Sequence, residues 1–154
     1  MFKEMRRQDR KIERAEALRI LDAGQYGILS TTGNNGYAYG VPISYTYHND
    51  SIYFHCALEG QKLENITHNN KVSFCVVGNT TPLPQSFSVN YESVIAFGKA
   101  VEVFESEKQA ALEAIIAKYS ATFTKEGLEY IKNASGNTRI FKIEIGHMTG
   151  KARR

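Results

Sequence analysis

The chain is short of the residues that mark several common protein classes. It has only two cysteines and three prolines among 154 residues. Cys56 and Cys75 lack the close spacing of metal-ligating thiols, and a zinc site would need histidines and carboxylates from scattered places. Free, reduced thiols in a cytoplasmic protein with no bound metal are therefore expected. No stretch approaches the ~18 consecutive apolar residues of a membrane-spanning helix. No apolar core follows the basic residues near Met1, so neither a membrane partner nor a secretory leader is expected. Glycine-rich loops of the dinucleotide or P-loop kind are missing, as are internal repeats, low-complexity tracts and hinges. One domain over 1–154 is expected, with a helical arm at 1–24 and a helical insertion at 105–133. An excess of one charge is also lacking: the net charge is +3, with basic residues gathered at the two ends. Nucleic-acid binding needs a basic face interleaved with stacking aromatics. Here the aromatics sit in apolar strands, so nucleic acid is not an expected partner.

What is present centres on residues 51–66, SIYFHCALEGQKLENI. Ile52, Phe54 and Cys56 alternate with Tyr53, His55 and Ala57, which predicts a strand. The pattern breaks at Leu58-Glu59-Gly60 and resumes with helical spacing between Leu63 and Ile66. A strand that passes through glycine into a helix start presents free backbone N–H groups and the positive end of the helix dipole. Lys62 adds a full charge. That is the chemistry of a phosphate seat, with His55 and Tyr53 close by. The competing reading is a surface turn with a solvated lysine. Glu59 beside a phosphate would be repulsive unless turned to solvent.

Before this stretch, residues 10–23 predict an amphipathic helix with Ile12, Ala15, Leu18 and Leu21 as its apolar stripe, ended by Gly24 in a left-handed conformation. Strands are predicted at 26–31 and 37–48, joined by a hairpin at Asn34-Asn35-Gly36, with a second tight turn over 48–51. Pro42 interrupts the second strand and cannot donate to a ladder. That strand therefore lies at an edge, is bulged, or opens its backbone to something other than a neighbour strand. After the central stretch come a strand at 71–78, a long surface loop at 79–90 holding Pro82 and Pro84, and a strand at 93–104 bending at Gly98. A helix over 106–119 is predicted with Ser106 as its cap, Gln109 in the capping-box position and Ala111, Leu112, Ile115, Ile116 and Tyr119 buried. A short helix at 124–133 and a closing strand at 139–147 complete a mainly β, α+β chain: an antiparallel β-barrel with flanking helices.

The order GILST, YGVPISY, FHCALEGQK, KVSFCVV, SVIAFGKA and TGKARR resembles the FMN-binding split-barrel proteins of the pyridoxamine 5′-phosphate oxidase-like family. Within that family the chain is most similar to the nitroimidazole-resistance (Nim) type. The resemblance runs from about Arg10 to the C-terminus and implies a homodimer with FMN in the groove between subunits. It further implies that Tyr39, Gly40, Val41, Pro42, Ile43 and Ser44 run along the ring and ribityl chain. Phe54 and His55, with Gly60, Gln61 and Lys62, would meet the ribityl and phosphate end, and Ser93 and Val94 of the second subunit the other flavin edge. Lys151 would approach from the tail. His55 matches a histidine beside the flavin, either as a hydrogen-bonding neutral imidazole or as an acid–base catalyst. The strand YGVPISY carries no arginine and Gln61-Lys62 replaces an arginine–lysine pair, which argues against a vitamin-B6 oxidase. The resemblance implies an oxidoreductase that passes electrons from a reduced nicotinamide, NAD(P)H, to a small acceptor such as a nitroaromatic. The alternative is a non-catalytic module holding flavin, or haem through His55 or His147.

Overall fold

Residues 1–154 are described by a computed structural model. β1 (Gly27–Thr32) alternates buried and half-buried positions along most of its length, as a strand with one face in a core must. It pairs antiparallel with β2 (Ala38–Ile43) across the expected hairpin, where Gly36 takes φ 83°. The strand expected over 37–48 is in fact two. β2 stops at Ile43, and β3 (Thr46–His48) follows after Ser44 and Tyr45. These two lie at opposite margins of one 7-stranded antiparallel sheet, ordered β2-β1-β5-β6-β7-β4-β3. Two consecutive residues therefore join the margins and curl the sheet into a split barrel. Alternation alone hides the break, because Val41, Ile43 and Tyr45 keep the same inward phase.

β3 turns into β4 (Ser51–Cys56) through Asn49 and Asp50, both with positive φ (48° and 60°), the turn that matches strand twist. α2 (Gln61–His68) follows Gly60 and buries Leu63 and Ile66. Its Asn65 donates to Thr31 Oγ1 at 3.0 Å, fastening the helix to β1.

β5 (Lys71–Leu83) and β6 (Ser88–Val103) overturn the loop expected at 79–90. Past an irregularity between Val77 and Thr80 the two strands keep pairing, Thr80 with Tyr91 and Pro82 with Val89. β1 flanks β5 only at Ser73, Phe74 and Cys75, so Pro82 stands on an edge, where its missing N–H is tolerated. Helix α3 (Glu105–Tyr119) begins one residue early and has no side-chain cap; Gln109 bonds Glu113 rather than closing a capping box. Ala111 is fully buried, and Leu112 and Ile115 pack on Tyr53, Val103 and Ile140, whereas Tyr119 stays partly exposed. α4 (Thr124–Ala134) matches expectation. β7 (Arg139–Arg153) continues well past 147, pairing with β6 along its length. The register slips by one residue at Gly146, between the pairs Phe97–His147 and Gly98–Ile145.

α1 (Arg14–Ala23) is shorter than the predicted 10–23 and buries Ala17, Ile20 and Leu21, while Ala15 is exposed. Gly24 is not left-handed: it sits at φ −64°, ψ 139°. Glycine is required there by space, since a Cβ would collide with the Tyr45 hydroxyl and come 2.6 Å from Val76. The barrel core unites Leu29, Tyr45, Ile52, Phe54, Phe74, Val76 and Val94 with residues of α1 and α2. No helix is long and apolar enough to cross a membrane.

Candidate functional site

Strand register alone builds the outer face of the sheet. Side chains alternate, so Leu29, Phe74 and Val94 point into the core and their neighbours point outward. One outward row runs Gly40, Ser30, Ser73, Phe97, His147; the next runs Pro42, Ile28, Cys75, Ile95, Thr149; a third places Val77, Ser93 and Lys151 side by side. A groove of about 910 Å³ lies over this face, lined by Ser30, Ser73, Lys71, Phe97 and Lys99 and flanked by Met1 and Phe2 of the N-terminal segment. Between the two phenylalanine rings and the two lysines, the small side chains of Ser30 and Ser73 and the bare backbone of Gly98 leave room for a flat molecule.

β2 borders the groove with an unpaired edge. The Gly33 N–H bonds the Tyr37 carbonyl at 3.0 Å, which in an antiparallel ladder fixes Thr31–Tyr39, Leu29–Val41 and Gly27–Ile43 as the hydrogen-bonded pairs. The backbone groups of Gly40 and Pro42 therefore point away from β1. Pro42 costs the sheet no bond, as expected of an edge position.

A second cluster lies where β4 leaves the barrel. His55 is exposed, opposite Ile140. Gly60 adopts φ 148°, ψ 167°, a region open essentially to glycine alone. The N–H groups of Leu63 and Glu64 both bond the Gly60 carbonyl, leaving those of Gln61 and Lys62 as the free first-turn donors. Glu59 is exposed, as a seat for an anion requires. Arg139 is held by Glu102, with Nε–O distances of 3.2 Å, and reaches the Leu58 carbonyl at 3.4 Å. Its charge is thus compensated, and Lys62 is the uncompensated cation of this corner. Burial pushes the Cys56 thiol up despite the nearby charges of Lys62 and Arg139, which keeps it a neutral, unreactive thiol.

The structure thus divides the residues singled out from the sequence. Gly40 and Pro42 share the outer face with Ser93 and Lys151. His55, Gly60, Gln61 and Lys62 form a separate corner, and Ser44 is exposed at the β2–β3 link. Tyr39, Val41 and Ile43 are half-buried on the inward side of β2. The side chains of Phe54 and Val94 are 0% and 1% exposed, inside the core. The outward members Ser30, Ser73, Phe97 and His147, and the overlying Phe2, are visible only once register is known. The Phe2 ring stacks on His147, with centroids 4.6 Å apart and planes 5° apart, and lies 5.2 Å from Phe97.

Residues 13–152 match the family model described as pyridoxamine 5′-phosphate oxidase. No curated protein matches the chain. Among solved structures, it is similar to a candidate 5-nitroimidazole antibiotic resistance protein from Bacteroides thetaiotaomicron, at 27% identity and TM-score 0.79, covering 92% of this chain and 86% of that one. A FAD-binding protein from Mesorhizobium loti shares the fold at 20% identity and TM-score 0.69, with 94% and 98% covered. So does a FAD and heme binding protein from Mycobacterium smegmatis, at 16% identity and TM-score 0.76, with 92% and 72% covered.

Proposed function

The chain belongs to the pyridoxamine 5′-phosphate oxidase family, and on that premise we propose that it is an FMN-dependent oxidoreductase, working as a homodimer with flavin between its subunits. The observation that carries this reading is the unpaired edge of β2, the strand of Gly40 and Pro42, whose Ala38 lines a groove of about 910 Å³. Such a volume falls in the range of small-molecule sites, roughly 300–1,000 Å³.

The residues fit the group. The edge carbonyls and the Gly40 N–H suit the polar rim of a flat heterocycle, and Phe97 offers it an apolar surface. The free N–H groups of Gln61 and Lys62, with the Lys62 ammonium, suit a phosphate. The face carrying Ser93 and Lys151 is separate from the Gly60 corner within one chain, so the homodimer reading assigns the two to the same flavin from different copies.

When bound, FMN would accept electrons from a reduced nicotinamide and deliver them to a small acceptor. The likeness to the Bacteroides protein supports a nitroaromatic as the acceptor class. Gly40 and Pro42 would hold the ring by main-chain contact, while Gln61 and Lys62 bind the phosphate. The exposed His55 would hydrogen-bond the cofactor or hand a proton to the substrate. Haem through His55 or His147 is the weaker reading, because the His147 Nε2 that would reach an iron is buried. The test is an absorbance spectrum of freshly purified protein and of protein titrated with FMN, then NADH and NADPH oxidation with a nitroaromatic acceptor. Flavin bands and acceptor-dependent oxidation are expected. A colourless protein that takes up no FMN, or a Soret band, overturns the reading.

A further inference from the structure

The N-terminal segment divides the outer groove in two. The Ile12 N–H bonds the Gly150 carbonyl at 3.1 Å and Lys11 bridges to Lys151, so the segment is tied to β7 before it crosses the sheet. Phe2, stacked on His147, closes one side. Beyond it lies a smaller compartment of about 260 Å³, roofed by Lys3 and Met5 and walled by Ser93, Ile95, Phe97, His147, Thr149 and Lys151. Phe97 lines both spaces.

Two features of these walls call for a ligand of defined chemistry. Arg7 is paired with Asp9, and Arg19 and Arg154 share Glu92, whereas Lys3 and Lys151, which line the compartment, make no ion pair. Ser93 and Thr149 add hydroxyls, while Ile95 and Phe97 make one side apolar. The local field is positive: against the upward push of burial, hydrogen bonds from Arg10 and Lys151 hold the Tyr91 phenol below its usual value.

We propose that this compartment binds a small aromatic carboxylate. The ring lies on Phe97 and Ile95. The carboxylate takes the charges of Lys3 and Lys151, and the hydroxyls of Ser93 and Thr149 donate to its oxygens. The volume suits a single-ring acid and is too small for a dinucleotide. Only the placement of this acid beside a flavin rests on the reading above; its binding does not.

The experiment is calorimetric titration of the full chain, as purified and saturated with FMN, using benzoate, its neutral analogue benzyl alcohol, and inorganic phosphate. Benzoate is expected to bind saturably, one per chain, with benzyl alcohol at least about tenfold weaker and phosphate unable to displace it. Lys151→Met should weaken benzoate about tenfold. Lys3→Ala, at an exposed residue outside the helices and strands, should weaken it about threefold and decides the matter if Lys151→Met fails to fold. No benzoate binding, equal binding of benzyl alcohol, displacement by phosphate, or unchanged affinity in Lys3→Ala overturns the proposal. Flavin absorbance in the same samples separates the two readings. Benzoate binding without flavin uptake removes only the flavin, and flavin uptake without benzoate binding removes only this site.

Discussion

The hydroxyl of Tyr119 lies 3.0 Å from the amide nitrogen of Tyr45 and 3.0 Å from the Tyr45 carbonyl oxygen. One side chain from the end of α3 thus takes the place of a strand partner where the sheet breaks between β2 and β3. It accepts the Tyr45 N–H and donates to a carbonyl, with that of Gln25 also at 2.5 Å. Tyr45 itself is fully buried, bonded to the Leu21 carbonyl and edge-on to Phe74. Tyr119→Phe keeps the ring but leaves the Tyr45 N–H without a partner. It should lower stability by about 1–2 kcal/mol, read as a shifted urea midpoint with an unchanged slope.

Gly60 and Gly36 both have positive φ, 148° and 83°, and a Cβ at either would meet nothing within 4 Å. Any penalty for alanine is therefore backbone strain. Gly60→Ala should cost about 1–3 kcal/mol and also loosen flavin, because it disturbs the first turn of α2. Gly36→Ala should cost about 1 kcal/mol and leave flavin retention untouched. Thermal melts paired with cofactor occupancy after dialysis distinguish the two.

Lys62→Ala should weaken FMN about tenfold or more, the loss expected for one charge-assisted phosphate contact. Riboflavin, which lacks the phosphate, should bind both forms alike. Equal loss for both ligands would move the phosphate seat away from Gly60. Ser93→Trp should damage flavin binding and assembly together; a variant that remains a flavin-loaded dimer removes the assignment of that face.

Acid should loosen α3. Glu107 accepts from the Tyr53 hydroxyl at 2.7 Å and from the Lys142 ammonium at 2.9 Å, and these bonds, Tyr53's first, hold its carboxyl below the usual range. A depressed carboxylate contributes stability above its unfolded value and loses it as pH falls through the folded one. The urea midpoint should therefore decline from neutral pH into acid, modestly, since the Glu107 side chain is 41% exposed. Glu107→Gln should flatten that limb.

Much of this was legible in the sequence because local chemistry decides it. Asn34-Asn35-Gly36 permits the positive φ of its hairpin, and Leu63 and Ile66 orient α2. Gly60 separates strand from helix, and Pro42 needs an edge. Other features depend on partners far along the chain. Tyr119 ends the pairing of β2, and nothing near Ser44 announces that. Pro82 and Pro84 both read as loop residues; Pro84 does lie in the connecting turn, yet Pro82 is in a strand, because β6 supplies a partner for a strand whose other side is open. The stripe of α1 turns toward Ala17 and Ile20 because the barrel surface it meets selects that side. For the candidate site, the Gly60 corner could be read from its own residues, whereas Phe97 and His147 needed the register of β6 and β7.

The extra residue that β7 holds at Gly146 changes the parity of everything after it. Before the slip, even-numbered Lys142 and Glu144 face outward and Ile143 sits in the core; after it, odd-numbered His147, Thr149 and Lys151 face outward while Met148 packs inward. Excising Gly146 would swap these sets, turning an imidazole, a hydroxyl and an ammonium into the barrel and a thioether out of it. The chemical character of the groove's far wall is thus written by one insertion that carries no side chain of its own.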